Sequence, residues 1–274
     1  MSRALTEIGV RKGWAVPDLR EIWEYRDVLY FLARRDVQVR YRQTFFGVAW
    51  AILQPLLMMA VFSVFLGRLA GVPSDGVPYP LFVYAALVPW QFFSQSLGES
   101  SHSLIANERL ISRVYFPRLL IPVSTLGAPL VDFAFAGLVL GAMMAIYGVA
   151  PRASMLAIPL LIVLAGLAAL SVGLWLSALN VRYRDVRHTL TFLMQFWLFA
   201  TPVAYPASLV PESWRLLYAL NPMTGVVEGF RWALFGTPVD VAMMIGPSVA
   251  VVVILAAGGL AYFGRMQATF ADEI

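Results

Sequence analysis

Few side chains in this sequence could take part in covalent chemistry. It contains no cysteine and two histidines, His102 and His188, so a thiolate nucleophile and a cysteine- or histidine-rich metal site are excluded. Lys12, the only lysine, lies in Arg11-Lys12-Gly13, and no G-x-x-x-x-G-K-[ST] phosphate-binding loop occurs. We therefore predict that the chain is not an enzyme, has no cofactor of its own and contains no catalytic or metal-binding residue. If ATP powers its activity, another chain must hydrolyse it.

Charged side chains within apolar sequence are the other candidates for chemistry. Asp132 lies in a long apolar segment, where a buried charge is costly and often functional. No second titratable residue accompanies it, so we favour a helix-packing hydrogen bond over a proton relay. Glu228 and Arg231 stand three residues apart, which is the spacing of neighbours on a helix surface and predicts a local ion pair.

The composition indicates the class of protein that must position these residues. Hydrophobic residues make up 60% of the 274 residues and charged residues 13%, whereas an ordinary soluble domain has about 45–50% and about 25%. A soluble core of this size cannot hide so much apolar surface, so the excess must face lipid. The net charge of +4 is almost entirely arginine. These arginines flank apolar segments, which indicates anchoring and orientation by membrane lipids and no nucleic-acid partner.

Six apolar segments follow residue 46, and a helix needs about 20 residues to cross a bilayer. The third segment is too long for a simple span and must tilt or project, whereas the fifth is short and is closed by Pro202 and Pro206. We predict an all-α polytopic membrane protein with a six-span domain at 47–274. The segments are Val48 to Leu66, Tyr79 to Leu97, Leu119 to Val149, Met155 to Leu179, Leu190 to Tyr205, and Val241 to Phe263.

Arginines also predict the orientation. They precede the first segment and lie between segments two and three and between four and five, whereas Gly71 to Pro78 carries no basic residue and Pro151 to Ser154 carries only Arg152. The positive-inside rule therefore places both termini in the cytoplasm, as expected for a bacterial inner-membrane protein. Residues 1–18 contain no apolar h-region, so we expect no cleaved signal peptide. The basic connections contain Arg109, Arg113, Arg118, Arg182, Arg184 and Arg187, and Arg265 follows the sixth segment.

Leu19 to Arg42 is predicted to be an amphipathic helix within a cytoplasmic N-terminal region, 1–46. At 100° per residue most charged side chains fall on one arc, although Arg26, Asp36 and Arg40 interrupt the apolar arc. A helix this charged cannot span a bilayer, but it can lie in the headgroup plane. The apolar arc comprises Leu19, Ile22, Trp23, Tyr25, Leu29, Tyr30, Ala33 and Val37.

Residues 206–240, between segments five and six, are too polar and too interrupted to cross the membrane alone. Leu209 to Leu220 and Thr224 to Phe235 are predicted to be two short helices, broken at Asn221-Pro222 because proline disfavours helix at the residue before it. We predict an outer re-entrant hairpin that protein shields from lipid. It carries Glu228 and Arg231.

Two other features allow more than one interpretation. In the cytoplasmic connection 99–117, Ser103 to Val114 can form a short helix that docks in a partner's groove, or the whole connection can be a solvated loop whose arginines only set topology. The many aromatic rings of the membrane segments can belt the bilayer interface or fill helix packing. Alternatively, they can stack on the apolar C–H faces of sugars and let a polymer slide past.

Motifs along nearly the whole chain resemble one family. RRDVQVRYRQTFFGVAWAILQPL, from Arg34, looks like the N-terminal signature of the type-2 ABC export permeases, particularly those for O-antigen, capsule and teichoic-acid polymers. VPWQFFSQSL, from Val88, is similar to their second span, and SLIANERLISRVYFPRLLIPVS, from Ser103, to the loop containing their coupling helix. RYRDVRHTLTFLMQFWLFATPVAYP and NPMTGVVEGFRWALFG, from Arg182 and Asn221, resemble their fifth span and outer re-entrant helices.

This resemblance implies a homodimer with two copies of a separate ABC ATPase, which would bind ATP and Mg, and a lipid-linked polysaccharide as cargo. It further implies a channel near spans one, two and five, an ATPase-docking segment and an N-terminal interface helix. The implied channel residues are Trp50, Tyr84, Trp90, Phe93, Phe196, Trp197 and Tyr205. The implied docking residues are Ser103, Asn107, Glu108, Arg109, Arg113 and Tyr115, and the interface-helix residues are Arg34, Arg35, Arg40 and Arg42.

Two alternatives are left open by the sequence. A type-2 permease for a lipid or drug would favour a lateral opening over a wide aromatic-lined path. A membrane-embedded glycosyltransferase would need an acidic metal-binding pair at the cytoplasmic face, for which Asp185, flanked by arginines, is poorly suited.

Overall fold

A computed structural model describes residues 19–42, 47–183, 185–237 and 241–267, and every regular element in these ranges is a helix. The all-α prediction is therefore confirmed for the described part of the chain. Predictions about residues 1–18, 43–46, Arg184 and 238–240 lie outside it. The α-helices are α1 Leu19–Glu24, α2 Arg26–Arg42, α3 Gly47–Phe62, α4 Tyr79–Ala106, α5 Glu108–Arg113, α6 Leu120–Ser124, α7 Gly127–Ile146, α8 Ile158–Arg182, α9 Val186–Ala200, α10 Glu212–Ala219, α11 Pro222–Phe235 and α12 Val241–Met266.

Within the described residues, four helical stretches are long and apolar enough to cross a membrane. The first joins α3 to a π-helical continuation, the second joins α6 to α7, the third adds a short 3₁₀ turn to α8, and the fourth belongs to α12. They are Gly47–Leu69, Leu120–Ile146, Ala153–Arg182 and Ala242–Met266. These stretches coincide with the first, third, fourth and sixth predicted segments.

Helix α4 lies at the centre of the protein. Its 28 residues include Pro89, and at about 1.5 Å per residue the helix is about 42 Å long. The whole run from Leu81 to Val88 is buried, so every side of this part of the helix contacts protein. Helices α3, α7, α8, α9 and α11 pack around it. A helix that is apolar all round belongs in such a position.

Small residues allow the closest of these contacts, between α4 and α8. A Cβ atom added to Gly173 of α8 would lie 2.5 Å from the Ser100 hydroxyl oxygen of α4, which is too close for any larger side chain. Such small-residue contacts are typical of membrane helices, where packing rather than water exclusion holds helices together.

The N-terminal amphipathic segment is helical, with an interruption at Tyr25. Its inner face differs from the predicted apolar arc, because Leu32 is buried in a cluster with Leu104 and Leu120 while Trp23 and Tyr30 are exposed. The helix therefore packs its aliphatic side chains on protein and leaves aromatic rings on its outer side.

The long third segment is two helices rather than one. Helix α6 ends at Ser124 and α7 begins at Gly127, and α6 packs against the amphipathic helix α2. The excess length predicted for this segment is therefore used at its N-terminal end, in contact with α2.

Candidate functional site

The predicted docking segment contains a corner between two helices. Helix α4 continues to Ala106, beyond the predicted start of the connection at Glu99, and the predicted single helix Ser103 to Val114 is divided at Asn107. Burial explains the extension, because Leu104 is fully buried in the cluster that also contains Leu32. Helix α5 then presents the short sequence ERLISR, with Ile111 packed inward.

The predicted docking residues divide into two groups by exposure. Glu108, Arg109, Arg113 and Tyr115 are exposed, and Tyr115 shows 65% of its surface. Ser103 is buried and donates to the Ser100 carbonyl within α4 at 2.7 Å. Asn107 is half-buried: its side-chain nitrogen donates to the Ser103 carbonyl at 2.9 Å, while its side-chain oxygen accepts from Arg35 at 2.8 Å.

The outer segment forms the two predicted short helices, α10 and α11. Asn221 ends the break between them, since its side-chain oxygen accepts from the Met223 backbone N–H at 3.1 Å and Pro222 occupies the first helical position. This is an ordinary N-terminal cap followed by proline. The same oxygen accepts from the Trp197 ring nitrogen at 2.9 Å, and the amide nitrogen donates to the Thr201 hydroxyl at 2.9 Å. Asn221 therefore ties the hairpin to the end of α9.

Glu228 and Arg231 form an ion pair inside the protein rather than on its surface. Arg231 Nη1 lies 2.9 Å from Glu228 Oε1, and the two side chains are 0% and 1% exposed. Arg231 also donates to the Val203 carbonyl at 2.8 Å and to the Tyr205 carbonyl at 3.3 Å, and its guanidinium carbon lies 3.5 Å from the centre of the Phe82 ring. The pair therefore joins three regions: α11, the turn after α9, and α4.

The predicted channel aromatics occupy different environments. Trp50 of α3 and Phe196 of α9 are 56% and 59% exposed, whereas Tyr84, Trp90 and Phe93 of α4 are buried. Trp197 is half-buried, with its ring centre 5.1 Å from that of Phe93. The half-buried Tyr205 shares a hydrogen bond of 2.8 Å with the Tyr218 hydroxyl. Their role as channel lining stays a prediction.

Several of the described helices leave apolar side chains open on the surface of the single chain, and two of them, α3 and α9, carry predicted channel residues. On α9, Phe192, Phe196 and Phe199 are all more than half exposed, and Leu190 is its only buried residue among those described. On α3 and its continuation the exposed side chains are Trp50, Leu53, Leu57, Val61 and Phe65. Each face is a stripe of large side chains that no described part of the same chain covers.

An open cavity of about 370 Å³ lies between the end of α9 and the outer hairpin. Trp197, Trp214, Tyr218 and Asn221 contribute to its walls. The polar groups of Tyr218 and Asn221 are already bonded within the protein, so the cavity offers mainly apolar surface.

A cluster of charged side chains where α2, α4 and α7 meet was not predicted. Arg40 of α2 contacts Asp132 of α7 at 2.7 Å and also pairs with Glu99 of α4. The Tyr41 hydroxyl donates to the second Asp132 oxygen. Burial, together with that hydrogen bond, raises the pKa of Tyr41 well above its ordinary value, so the phenol stays protonated and remains a donor. The sequence carried one signal of this cluster, because Arg40 interrupts an apolar arc and Asp132 interrupts an apolar segment.

Comparison with known proteins identifies the family of this chain. Residues 27–235 match the ABC-2 type transporter family. The chain is 30% identical over 259 residues to the O-antigen export system permease protein RfbA of Myxococcus xanthus, covering 93% of this chain and 98% of that one. It is 29% identical to a protein of the same name from Klebsiella pneumoniae, covering 90% and 94%. The polysialic acid transport protein KpsM of Escherichia coli is 22% identical over 73% of this chain and 78% of its own.

The match extends from the amphipathic helix α2 to the end of the outer hairpin α11. It confirms the predicted family and the prediction of a transport permease rather than an enzyme. The chain belongs to the ABC-2 type transporter family and is an integral membrane permease of that family.

Proposed function

We propose that this chain is the membrane subunit of an ATP-driven exporter that carries a lipid-linked polysaccharide resembling O-antigen out of the bacterial cytoplasm. The observation that carries this proposal is the similarity, along almost the entire length of both chains, to permeases named for O-antigen export. Similarity to a permease named for polysialic acid transport supports the same class of cargo.

The proposed topology has six spans with both termini in the cytoplasm of the inner membrane. Four spans are the long apolar helices, and α4 and α9 supply the second and fifth. Helix α4 is long enough to cross alone. Helix α9 has 15 residues and is too short, so the turn after it and the hairpin α10–α11 complete the outer half as a re-entrant structure. Residues 1–46 form the cytoplasmic N-terminal region and 47–274 the transmembrane domain.

The proposed assembly is a homodimer, as the family resemblance implies, with the uncovered faces of α3 and α9 at its interface. In a membrane protein such faces contact either lipid or another helix, and the predicted channel residues Trp50 and Phe196 lie on these two faces. These two faces carry aromatic and branched side chains in stripes along the helices. A second copy of the chain would cover part of them and leave the remainder facing a central path for the polymer.

The proposed channel lining begins with the aromatics on these faces. Trp50 and Phe196 present their rings outward, so they can stack on sugar C–H faces. Trp197 and Tyr205 border them at the outer end. Tyr84, Trp90 and Phe93 lie behind this layer, where their packing holds α9 against α4.

The proposed power source is a pair of ABC ATPase subunits that bind ATP and Mg and dock on the corner formed by α4 and α5. Glu108, Arg109, Arg113 and Tyr115 are exposed there and can contact a partner. Ser103 and Asn107 hold the corner in shape through hydrogen bonds inside the protein.

Deletion of the gene that encodes this chain tests this proposal. Deletion should leave polymer synthesis intact but trap lipid-linked polysaccharide in the cytoplasm, and surface polysaccharide should return only when the permease and its ABC ATPase are expressed together. Unchanged surface polysaccharide in the deletion strain, with a defect in lipid or drug export instead, would favour the alternative cargo. Normal export without any ATPase would contradict the mechanism.

A further inference from the structure

Two arginines of α2 reach across to the cytoplasmic end of α4. Arg35 donates to the Asn107 side-chain oxygen at 2.8 Å, at the corner where α5 begins. Arg40 pairs with Glu99 on the same helix and with Asp132 on α7. These residues are separated by 59 to 92 positions in the sequence, so the contacts are tertiary.

The aliphatic side of α2 strengthens this attachment. Leu32 precedes the two arginines in sequence and is 2% exposed, packed in the cluster that includes Leu104 and Ile111. Leu104 belongs to α4 and Ile111 to α5. Helix α2 is therefore hydrogen-bonded to the docking corner through Arg35 and packed on it through Leu32. It is joined to α4 and α7 through Arg40.

From this geometry we infer that Arg40 is a positioning residue that locks the amphipathic helix α2 to α4 and α7, so that α2 moves with the docking corner as one body. The inference rests on the proposed function, in which an ATPase pulls on α5. Since α3 follows α2 in the chain, a displaced corner carries the start of span one with it. The movement that the ATPase imposes on α5 then reaches the exposed face of α3 through α2 rather than through α4 alone.

The absence of cysteine from the sequence makes this inference directly measurable. Spin labels on Gln38→Cys and Ser112→Cys, both exposed positions, report the distance between α2 and α5 by pulsed electron paramagnetic resonance. Labels on Ser112→Cys and Ser213→Cys report movement of α5 relative to the outer hairpin. Dilution with unlabelled chain in the complex with its ATPase keeps the measured distances within one subunit.

We expect a narrow distribution of distances between the labels on α2 and α5, with the same mean with and without a non-hydrolysed ATP analogue. The distance between the labels on α5 and the hairpin should change. In the variant R40Q/E99Q/D132N, which removes three charges but keeps hydrogen-bonding groups of similar size, the α2–α5 distribution should broaden. Export per ATP hydrolysed should fall about tenfold, because variants within a coupling network change coupling to roughly that extent. The matched control Arg26→Gln removes an exposed arginine of the same helix and should behave like the parent.

A distribution as narrow in the triple variant as in the parent, with unchanged export per ATP, would overturn the inference. Because the distribution in the nucleotide-free protein detects the attachment directly, it tests Arg40 independently of cargo. If the α5–hairpin distance ignores the ATP analogue and polysaccharide stays surface-exposed in the deletion strain, the proposed function fails instead.

Discussion

The protein contains two charged clusters that both contact α4, one near each end, and they differ in how far they are removed from water. In the outer cluster, Arg231 and Glu228 are fully buried and Arg231 also bonds two backbone carbonyls. In the inner cluster, the Arg40 and Glu99 side chains keep 30% and 32% of their exposure. Partial exposure lowers both the desolvation penalty of a charge and its attraction to a partner.

This difference indicates different mechanical roles. A buried pair cannot separate without leaving a bare charge in an apolar environment, so the outer cluster fixes the hairpin to α4 and to the turn after α9. The inner cluster has one described arginine for two carboxylates, and although Asp132 is only 13% exposed, Arg40 and Glu99 remain accessible to water. The outer cluster therefore resists separation more strongly, whereas the inner cluster joins α2, α4 and α7 through contacts that cost less to break.

The largest effect should come from breaking the outer cluster. Arg231→Met leaves Glu228 buried without a counter-charge, and breaking such a pair costs about 3–5 kcal/mol. We expect a much lower melting temperature in detergent and little folded protein in the membrane. Arg231→Met combined with Glu228→Leu removes both charges and should recover part of the loss. If Arg231→Met melts like the parent, the outer cluster does not hold the hairpin.

A smaller loss of stability is expected at the inner cluster. Arg40→Gln removes charged hydrogen bonds that water can partly replace, so the free energy of unfolding should fall by about 1–2 kcal/mol. The same melting experiment measures it. A loss as large as that of Arg231→Met would show that the two clusters are equally rigid and would remove the distinction between them.

Export should respond to Trp50 and Phe196, whose rings are exposed and lie outside both clusters, and to the half-buried Tyr205 beside the outer cluster. Trp50→Ala, Phe196→Ala and Tyr205→Ala should slow polysaccharide export progressively as they are combined, because base–aromatic stacking, a loose analogue, is worth about 1–3 kcal/mol per ring. Phe93→Ala is the matched control: its ring is fully buried, so it should lower the amount of folded protein by the packing cost of about 3–5 kcal/mol. A stable triple variant that exports at the parental rate would assign these rings to the dimer interface or to lipid.

The smallest effect is expected at Arg215, which pairs with Glu212 at 3.6 Å on the outer hairpin, where Glu212 is 88% exposed. Exposed pairs contribute little, so Arg215→Met should leave the melting temperature within error of the parent. A clear loss at this position would mean that charge number on the hairpin, rather than burial, sets its stability.

Local signals in the sequence predicted a large part of this structure. Asn221-Pro222 predicted the break between α10 and α11 because capping and proline act within a few residues. The length of consecutive apolar sequence, which is also a local property, predicted the four long apolar stretches. Contacts between distant residues were not accessible in this way. The extension of α4 past Glu99 depends on Leu104 packing against Leu32, and the position of Arg40 depends on an acid 92 residues away.

In the candidate site, too, local contacts were predicted from the sequence and contacts between distant residues were not. The i, i+3 spacing of Glu228 and Arg231 predicted their ion pair, but it gave no indication of Phe82 or of the carbonyls at 203 and 205. Composition identified aromatic residues near the expected channel. It could not separate Phe93 from Phe196, because a buried and an exposed ring look alike until neighbouring helices are placed.

Helix α4 carries Phe82 toward one end and Glu99 toward the other, and 17 residues of α-helix span about 25 Å. The two clusters therefore contact the same helix, and Pro89 lies within that helix between them. Because proline cannot donate the backbone hydrogen bond of its turn, resistance to bending is lowest at that point. A tilt of the cytoplasmic end of about 5° about this point, taken over roughly half of the 25 Å, displaces that end by about 1 Å. Pro89 therefore determines how much of that tilt is absorbed as bending and how much is delivered to the outer hairpin.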